Sequence, residues 1–424
     1  MAHSHTTSTR PQVGRRRPPI AARTISIADP GELSALLPGE QDLAWIRRGD
    51  GMVGTGVIAR EEFSCIADAD DWWGQFVSEI EHESELPGVS GTGPVAFGSF
   101  TFDPDHTEQR AVLVVPQFVV GRRDGQCWLT RLGPGEMPEP GWLPKPKTPP
   151  TSPGQISYAD GALSGPRWET AVAEAVRRIR AGEVDKVVLA RDLLAQAEYP
   201  IDPRWLVNGL ARDYERCWTY LVDGLVGASP EMLVRRQEGL VTSRVLAGTI
   251  QRTSDEEEDR ALAAHLSHSS KDLAEHEYAV ASVAKALTAY CSGMNVPDAP
   301  YVLELPNVFH LATDVTAVAR PGASSLALAA ALHPSAAVCG TPTDGARRMI
   351  RELEGLDRGR YSGPVGWVDA EGDGEWAIAL RCGRIRGNTA QLYAGCGIVA
   401  DSDPAAELAE SMAKLVPMRD ALEG

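Results

Sequence analysis

Two pairs of acidic residues in this chain have the spacing of a metal site. Asp272 and Glu275 lie in the segment KDLAEH, whereas Glu407 and Glu410 lie in ELAESMAK, which ends at Lys414. Residues three positions apart lie on one face of a helix, so each pair would present two carboxylates together. Four converging acids in a chain of formal net charge −17 would repel each other without a cation. We therefore predict a site for a hard, oxygen-preferring cation such as Mg²⁺.

A lysine and a glutamate are candidates for proton transfer. Lys186 interrupts an apolar run, VDKVVLA, where an inward amine would lose hydration and could act as a base. The alternative is an edge lysine that reaches water. Glu231 follows Ser229-Pro230, where apolar surroundings would favour the protonated acid, although a turn role is the alternative. Together the two residues suit a reaction that adds water and expels hydroxide.

Three further features could bind an anion. Arg381 follows the apolar strand AIAL, and Tyr361 lies in RYSGP, so the two side chains could grip a carboxylate. A structural ion pair would explain Arg381 equally well. Gly395 and Gly397 in AGCGIV could let main-chain N–H groups approach an anion, or they could satisfy a packing constraint on a strand.

Composition limits the class of protein. The chain has 424 residues, of which 43% are hydrophobic and 23% charged, as in globular proteins with a large core. No apolar run approaches the roughly 20 residues that span a bilayer, and the acidic balance argues against nucleic acid as a partner. Seven cysteines without a CxxC pair predict reduced thiols in the cytoplasm. For His265, His268 and His276 we expect capping or core roles rather than metal binding.

Periodicity predicts a single domain after a basic tail. Proline-rich and glycine-rich segments mark the boundaries, and GxGxxG at Gly49, Gly51 and Gly54 is followed by a strand-like run, which indicates a hairpin rather than a dinucleotide site. Frequent hairpins mixed with helices predict an α+β fold with a large two-sheet β-sandwich flanked by helices. The predicted parts are a flexible tail (1–24), a β-rich part (25–143), a Pro-rich loop (144–156) and a catalytic core (157–424), with helices at 167–183, 255–291, 324–332 and 342–355.

Several segments together resemble the chorismate-utilising enzyme family, most of all isochorismate synthases of siderophore and menaquinone pathways. The segments are DKVVLAR, SPEMLVRR, LAGTIQR, KDLAEHEYAV, HLATDV, LHPSAAVCGTP, DRGRYSGPVGW, GDGEWAIALRC, LYAGCGIVADSDP and ELAESMAK. The resemblance covers residues 165–420 and, more loosely, 25–140. It implies the fold of chorismate-binding enzymes, with chorismate as the small-molecule substrate and Mg²⁺ as cofactor.

The resemblance also implies a role for each candidate residue. Lys186 would deprotonate the water that attacks C2 of chorismate, and Glu231 would protonate the departing C4 hydroxyl. Glu275 and Glu410 would be the main Mg²⁺ ligands, supported by Asp272 and Glu407. The substrate would be bound by Ala247, Gly248, Thr249, His310, Tyr361, Arg381, Gly395, Gly397 and Lys414.

Related activities at the same site remain as alternatives. Ala247 stands where family members that make aminodeoxychorismate have a nucleophilic lysine, which argues against that chemistry. A salicylate synthase, which goes on to expel pyruvate, would share Lys186 and Glu231 but usually lacks the HP…CGTP pattern. A non-catalytic chorismate-binding subunit is the third possibility. We expect a monomer, because no unexplained apolar stripe offers an interface.

Overall fold

The computed structural model describes residues 20–39, 41–135, 139, 148–253, 255–304 and 308–424. Within them lie eight α-helices, 23 strands and two short 3₁₀ turns, at Leu33–Leu36 and Pro104–His106. The helices are α1 (Ile66–Ser78), α2 (Gly165–Arg180), α3 (Pro203–Asp213), α4 (Glu256–His268), α5 (Ser270–Leu287), α6 (Ser325–Leu332), α7 (Thr343–Leu353) and α8 (Pro404–Glu423).

The strands follow the chain in numerical order. They are β1 (Ile20–Ser26), β2 (Leu43–Arg47), β3 (Asp50–Thr55), β4 (Ala59–Phe63), β5 (Glu81–Ser84), β6 (Val95–Ser99), β7 (Ala111–Val115), β8 (Phe118–Arg123), β9 (Gln126–Pro134), β10 (Ile156–Asp160), β11 (Lys186–Ala197), β12 (Trp218–Val222), β13 (Leu225–Ser229), β14 (Met232–Gln237), β15 (Leu240–Gln251), β16 (Cys291–Asn295), β17 (Tyr301–Glu304), β18 (Val308–Ala319), β19 (Gly340–Thr341), β20 (Pro364–Asp369), β21 (Gly374–Ile378), β22 (Cys382–Arg386) and β23 (Thr389–Ile398).

Two large sheets contain all of these strands. The larger sheet has the order β10-β11-β23-β22-β13-β12-β2-β3-β8-β9-β1-β5, with β19 also paired to β11. The smaller sheet has the order β16-β18-β15-β14-β21-β20-β6-β7-β4, with β17 paired to β18. Strand β2 pairs with β12 and β6 pairs with β20, so both sheets join strands from the two sides of the Pro-rich segment.

The sandwich core lies between these two sheets. Trp45 and Tyr220 of the larger sheet and Phe97 and Trp367 of the smaller one belong to a single buried cluster. Helices cover the outer faces: α2, α6 and α7 pack on a second cluster, and α3 and α8 on a third. This arrangement is the α+β sandwich predicted from the sequence. Within the described residues, no helix is both long and apolar enough to cross a membrane.

Some predicted boundaries are wrong for local reasons. The predicted helix at 255–291 is two helices, because the Ser269 side chain accepts from the Asp272 amide and starts α5 there. The apolar run 111–120 forms two strands in different sheets, β7 and β8, separated at Pro116-Gln117.

The predicted boundary of the N-terminal tail at residue 24 is wrong. Residues 1–19 lie outside the described residues, but Ile20–Ser26 form β1, which pairs with β9 and β5. Ala21, Ala22 and Thr24 are buried there, so residues 20–24 belong to the sheet rather than to a tail. The predicted hairpin around the GxGxxG segment is confirmed, since β2 and β3 are antiparallel neighbours with Gly49 in the turn.

Candidate active site

Lys186 begins β11, the second strand of the larger sheet after the edge strand β10. It is half-buried and lies opposite Thr341 of β19. Its side chain crosses Gly397 of the neighbouring strand: a Cβ added at Gly397 would lie 3.1 Å from Cε of Lys186. The φ angle of Gly397 is not in the left-handed region, so this glycine provides space for the lysine rather than a special backbone conformation.

At Gly395 and Gly397, the main-chain N–H and C=O groups of β23 point away from β11. The Ala190 amide donates to Glu354 at 2.7 Å, and its carbonyl accepts from Trp168 at 3.1 Å. Ala190 therefore forms a non-hydrogen-bonded pair with Gly395, whose N–H and C=O point to the opposite side. On that side, the Gly395 carbonyl accepts from Lys414 Nζ at 2.8 Å. Val188 is the partner of Gly397 in β11, and its amide donates to the Cys339 carbonyl rather than to β23. The N–H and C=O of Gly397 therefore also point away from β11.

Glu231 lies between β13 and β14, and its main chain is held on both sides. Its amide donates to Ser229 Oγ at 3.2 Å, and its carbonyl accepts from the amide of Ile378 at 3.0 Å. Burial raises the pKa of the Glu231 carboxyl to about 7, while the positive charges of Lys186, Lys414 and Arg381 act in the opposite direction. Glu231 is therefore an acid that retains a substantial protonated fraction at neutral pH, close enough to Lys186 for the lysine charge to act on it.

Arg381 lies where the chain passes from the smaller sheet to the larger one. It follows β21 of the smaller sheet and precedes β22 of the larger one, with φ of 49°. Its carbonyl accepts from the Ala228 amide at 3.1 Å, which holds this left-handed conformation in place. Burial lowers the pKa of its guanidinium, but an arginine still remains charged at neutral pH.

Tyr361 is buried against the same strand as the two glycines. Its ring stacks on Tyr393 with centroids 5.0 Å apart and planes 9° apart. A Cβ added at Gly395 would lie 3.0 Å from the Tyr361 hydroxyl, so Gly395 also provides space for a neighbour. Burial raises the pKa of the phenol, which therefore keeps its proton for donation.

The smaller sheet supplies the opposite side of the site through a bulge in β15. The register with β18 shifts between Ala247 and Thr249, and Gly248 has φ of +77°. The Ala247 carbonyl accepts from Nδ1 of His276 at 3.1 Å, so His276 has a structural role, as expected. His310 lies opposite Thr249. The side chain of Thr249 falls outside the described residues.

His310 connects this bulge to α8. Burial lowers the pKa of its imidazole to about 4, so the ring is neutral at pH 7. The charges of Lys414 and Arg381 lower that pKa further, and the charge of Glu410 opposes them. These effects indicate that the bulge faces the residues of α8. Asp272 approaches from the other side, because a Cβ added at Gly248 would lie 3.2 Å from the Asp272 Cβ.

The acids of α8 form a compact group with a cysteine. One ligand atom each from Cys396, Glu407 and Glu410 lie within 4.8 Å of one another. Glu407 also accepts from Ser402 at 2.8 Å, and Lys414 Nζ lies 2.6 Å from Glu410. The predicted face of Glu407 and Glu410 therefore exists, and Lys414 links it to Gly395. The carboxylate of Asp272 accepts from Ser269 at the start of α5, and the side chain of Glu275 falls outside the described residues.

The donor chemistry of this group fits a hard cation. Burial raises the pKa of the Cys396 thiol to about 12, and its sulfur donates to the Glu407 carbonyl at 3.4 Å. Burial, together with the charge of Glu410, also raises the pKa of Glu407, a carboxylate that a divalent cation would stabilise. The two carboxylates offer the oxygen ligands that a hard cation such as Mg²⁺ prefers. Cys396 was not anticipated as a neighbour, although it stands between Gly395 and Gly397 in the sequence.

Comparison with known proteins agrees with the fold. A model of the family described as chorismate binding enzyme matches residues 143–423. The chain belongs to this family. The isochorismate synthase MenF of Bacillus subtilis is 35% identical over 383 residues, which cover 83% of this chain and 80% of the relative. The resemblance expected from the sequence is thus confirmed.

Solved structures of the family show the same fold. The menaquinone-specific isochorismate synthase MenF of Escherichia coli superposes with a TM-score of 0.77 at 26% identity, over 96% of this chain and 95% of the other. A putative 2,3-dihydroxybenzoate-specific isochorismate synthase of Bacillus anthracis gives a TM-score of 0.72 at 31% identity, over 90% and 96%. The predicted fold class of chorismate-binding enzymes is confirmed.

Proposed function

We propose that this chain is an isochorismate synthase, which converts chorismate to isochorismate. The observation that carries the proposal is the proximity of Lys186 and Glu231, since the charge of Lys186 acts on the Glu231 carboxyl, whose pKa burial raises to about 7. Lys186 would accept a proton and Glu231 would donate one, as addition of water with loss of hydroxide requires. The named relatives support the choice of reaction within the family.

In the proposed reaction Lys186, as a neutral amine, takes a proton from water as the water oxygen bonds to C2 of chorismate. The ring double bonds shift, the C4–O bond breaks, and Glu231 gives its proton to the departing hydroxyl, which leaves as water. One water enters and one leaves. Proton exchange with solvent then returns the lysine to its neutral form and the glutamate to its protonated form.

The remaining residues would hold the substrate. Arg381, Tyr361 and the N–H groups of Gly395 and Gly397 would bind the enolpyruvyl carboxylate. His310, neutral because burial lowers its pKa to about 4, would line the ring pocket with Ala247, Gly248 and Thr249. Lys414 holds α8 against β23 through Gly395, and would contribute positive charge near the substrate.

Glu275 and Glu410 would be the main Mg²⁺ ligands, with Asp272 and Glu407 in support. When bound, the cation would neutralise the ring carboxylate and withdraw electrons from the ring. Glu407 and Glu410 belong to one face of α8 and would together fix the position of the cation. The proposal further includes a cytoplasmic monomer. The seven cysteines are all unpaired thiols in the structure, in keeping with a reducing compartment, and light scattering on the purified chain would measure the oligomeric state.

A product assay tests the proposal. The purified chain is incubated with chorismate and Mg²⁺, and isochorismate and pyruvate are both quantified, with chelator-treated protein as control. Isochorismate without pyruvate is the expected result. Salicylate and pyruvate in equal amounts would instead make the chain a salicylate synthase, and binding of chorismate without turnover would make it a non-catalytic subunit.

A further inference from the structure

The strand that carries Lys186 has a gap along its outer edge. Strand β19 pairs with β11 at Lys186 and Val187, and β10 pairs with it only from Leu193 onward. Val188 and Ala190 lie between these two partners, and their main-chain groups point outward, away from β23. No described strand pairs with them on that side.

A buried ion pair fills this gap. Arg358 donates from Nη2 to the Val188 carbonyl at 2.7 Å, and Glu354 accepts from the Ala190 amide at 2.7 Å. Arg358 also donates from Nε to Glu354 at 2.9 Å and from Nη1 to the Val338 carbonyl at 2.8 Å. Glu354 is 2% exposed and Arg358 is 4% exposed. The two side chains thus make two of the four hydrogen bonds that a neighbouring strand would make, and the Cys339 carbonyl and the Trp168 indole N–H make the other two.

The same pair is joined directly to the segment that carries Tyr361. The Arg358 carbonyl accepts from the Tyr361 amide at 3.0 Å, and the Tyr361 hydroxyl lies beside Gly395. Arg358 also packs on an aromatic ring, since its guanidinium carbon lies 4.2 Å from the ring centroid of Phe102. One rigid unit therefore contacts β11, which carries Lys186, and the turn that carries Tyr361.

We propose that Glu354 and Arg358 are positioning residues that set Lys186 relative to the bound substrate by fixing the central part of β11. This inference rests on the proposed function. The two residues do not contact the reacting atoms; they act through the strand. Such positioning matters because a displacement of about 1 Å can reduce an enzymatic rate by about 10²-fold.

Arg358→Lys tests the proposal, because lysine keeps the buried positive charge but cannot donate simultaneously to Val188, Val338 and Glu354. We expect kcat for isochorismate formation to fall by about 10- to 100-fold, measured well below the thermal midpoint of the variant. The matched control is Arg236→Lys at the far end of β14 from Glu231, where Arg236 pairs with the buried Asp373. It should lower the thermal midpoint and leave kcat unchanged.

A double-mutant cycle separates positioning from general destabilisation. If Arg358 acts through Lys186, the Arg358→Lys change should have little effect on the residual rate in a Lys186→Ala background. An undiminished effect in that background would overturn the inference, as would a kcat equal to that of Arg236→Lys. Should Arg358→Lys fail to fold, Glu354→Gln takes its place in the same cycle, since glutamine keeps one acceptor for Ala190 but loses the charge and the second oxygen that accepts from Arg358 Nε. Lack of chorismate turnover by the unaltered chain would refute the proposed function instead.

Discussion

The two sides of the candidate site are built differently. The strand side (Lys186, Glu231, Tyr361, Arg381) lies on or between paired strands, and burial dominates the pKa shifts of Glu231, Tyr361 and Arg381. The helix side (Asp272, Glu407, Glu410) is less enclosed: the Glu410 side chain is 53% exposed and pairs with Lys414. Strand pairing thus fixes the groups proposed to transfer protons, whereas the acids on the helices are the proposed ligands of a cation that would hold them together.

Removal of Lys186 should produce the largest loss. Lys186→Ala is expected to lower kcat by about 10²–10⁴-fold, because the general base disappears while the carboxylate-binding residues remain. Steady-state kinetics and chorismate binding by calorimetry would be measured together, with Lys285→Ala, an exposed lysine of α5, as the control. Near-normal turnover would remove Lys186 from the role of base.

Loss of the acid on the strand side should be nearly as severe. Glu231→Gln cannot supply a proton, so kcat should fall by about 10²-fold or more while chorismate still binds. If binding is lost along with turnover, Glu231 is a structural residue.

The pKa of Glu231 also predicts a pH dependence. The acid must be protonated to act, and its pKa is raised to about 7. The protonated fraction in the free enzyme therefore decreases as pH rises through 7, and kcat/KM should decrease on that alkaline side. A pH–rate profile that is flat between pH 6 and about 8 would contradict this assignment.

On the helix side, a substitution is expected to change the Mg²⁺ concentration that activity requires more than the rate of the chemical step. Glu410→Gln should raise the Mg²⁺ concentration for half-maximal activity by about 10- to 100-fold, with kcat partly restored at high Mg²⁺. Asp420→Asn, which alters an exposed acid further along the same helix, is the control. An unchanged Mg²⁺ titration would show that Glu410 is not a ligand.

The smallest effect should come from a methyl group added at Gly397, in the space beside Lys186. Gly397→Ala places a Cβ about 3.1 Å from Lys186 Cε, and the lysine stem can shift to relieve the contact. A loss of up to about tenfold in kcat, equal to about 1.4 kcal/mol, is expected. Gly74→Ala in α1, where the added Cβ meets nothing within 4 Å, should leave kcat unchanged. Equal kinetics for both variants would mean that the Lys186 position tolerates this crowding.

Local patterns in the sequence were sufficient for part of this description. The i, i+3 spacing of Glu407 and Glu410 and the apolar period of α2 depend on neighbours within a few residues, and both are found in the structure. The ordered family segments likewise identified the fold, since they are a property of the chain alone. The break at Ser269 was missed because a helix-compatible pattern runs through it, and only the capping contact reveals it.

Packing between distant segments decided the rest. The sequence placed Glu231 after a proline, but its pKa of about 7 arises because strands and helices remote in sequence bury it. Gly397 looked like an anion-binding glycine, and the pairing of β23 with β11 shows that it also makes room for Lys186. The gap in β11 that Glu354 and Arg358 fill could not be read from the sequence. Which main-chain groups of a strand lack a partner depends on the order of strands in the sheet, and tertiary structure alone sets that order.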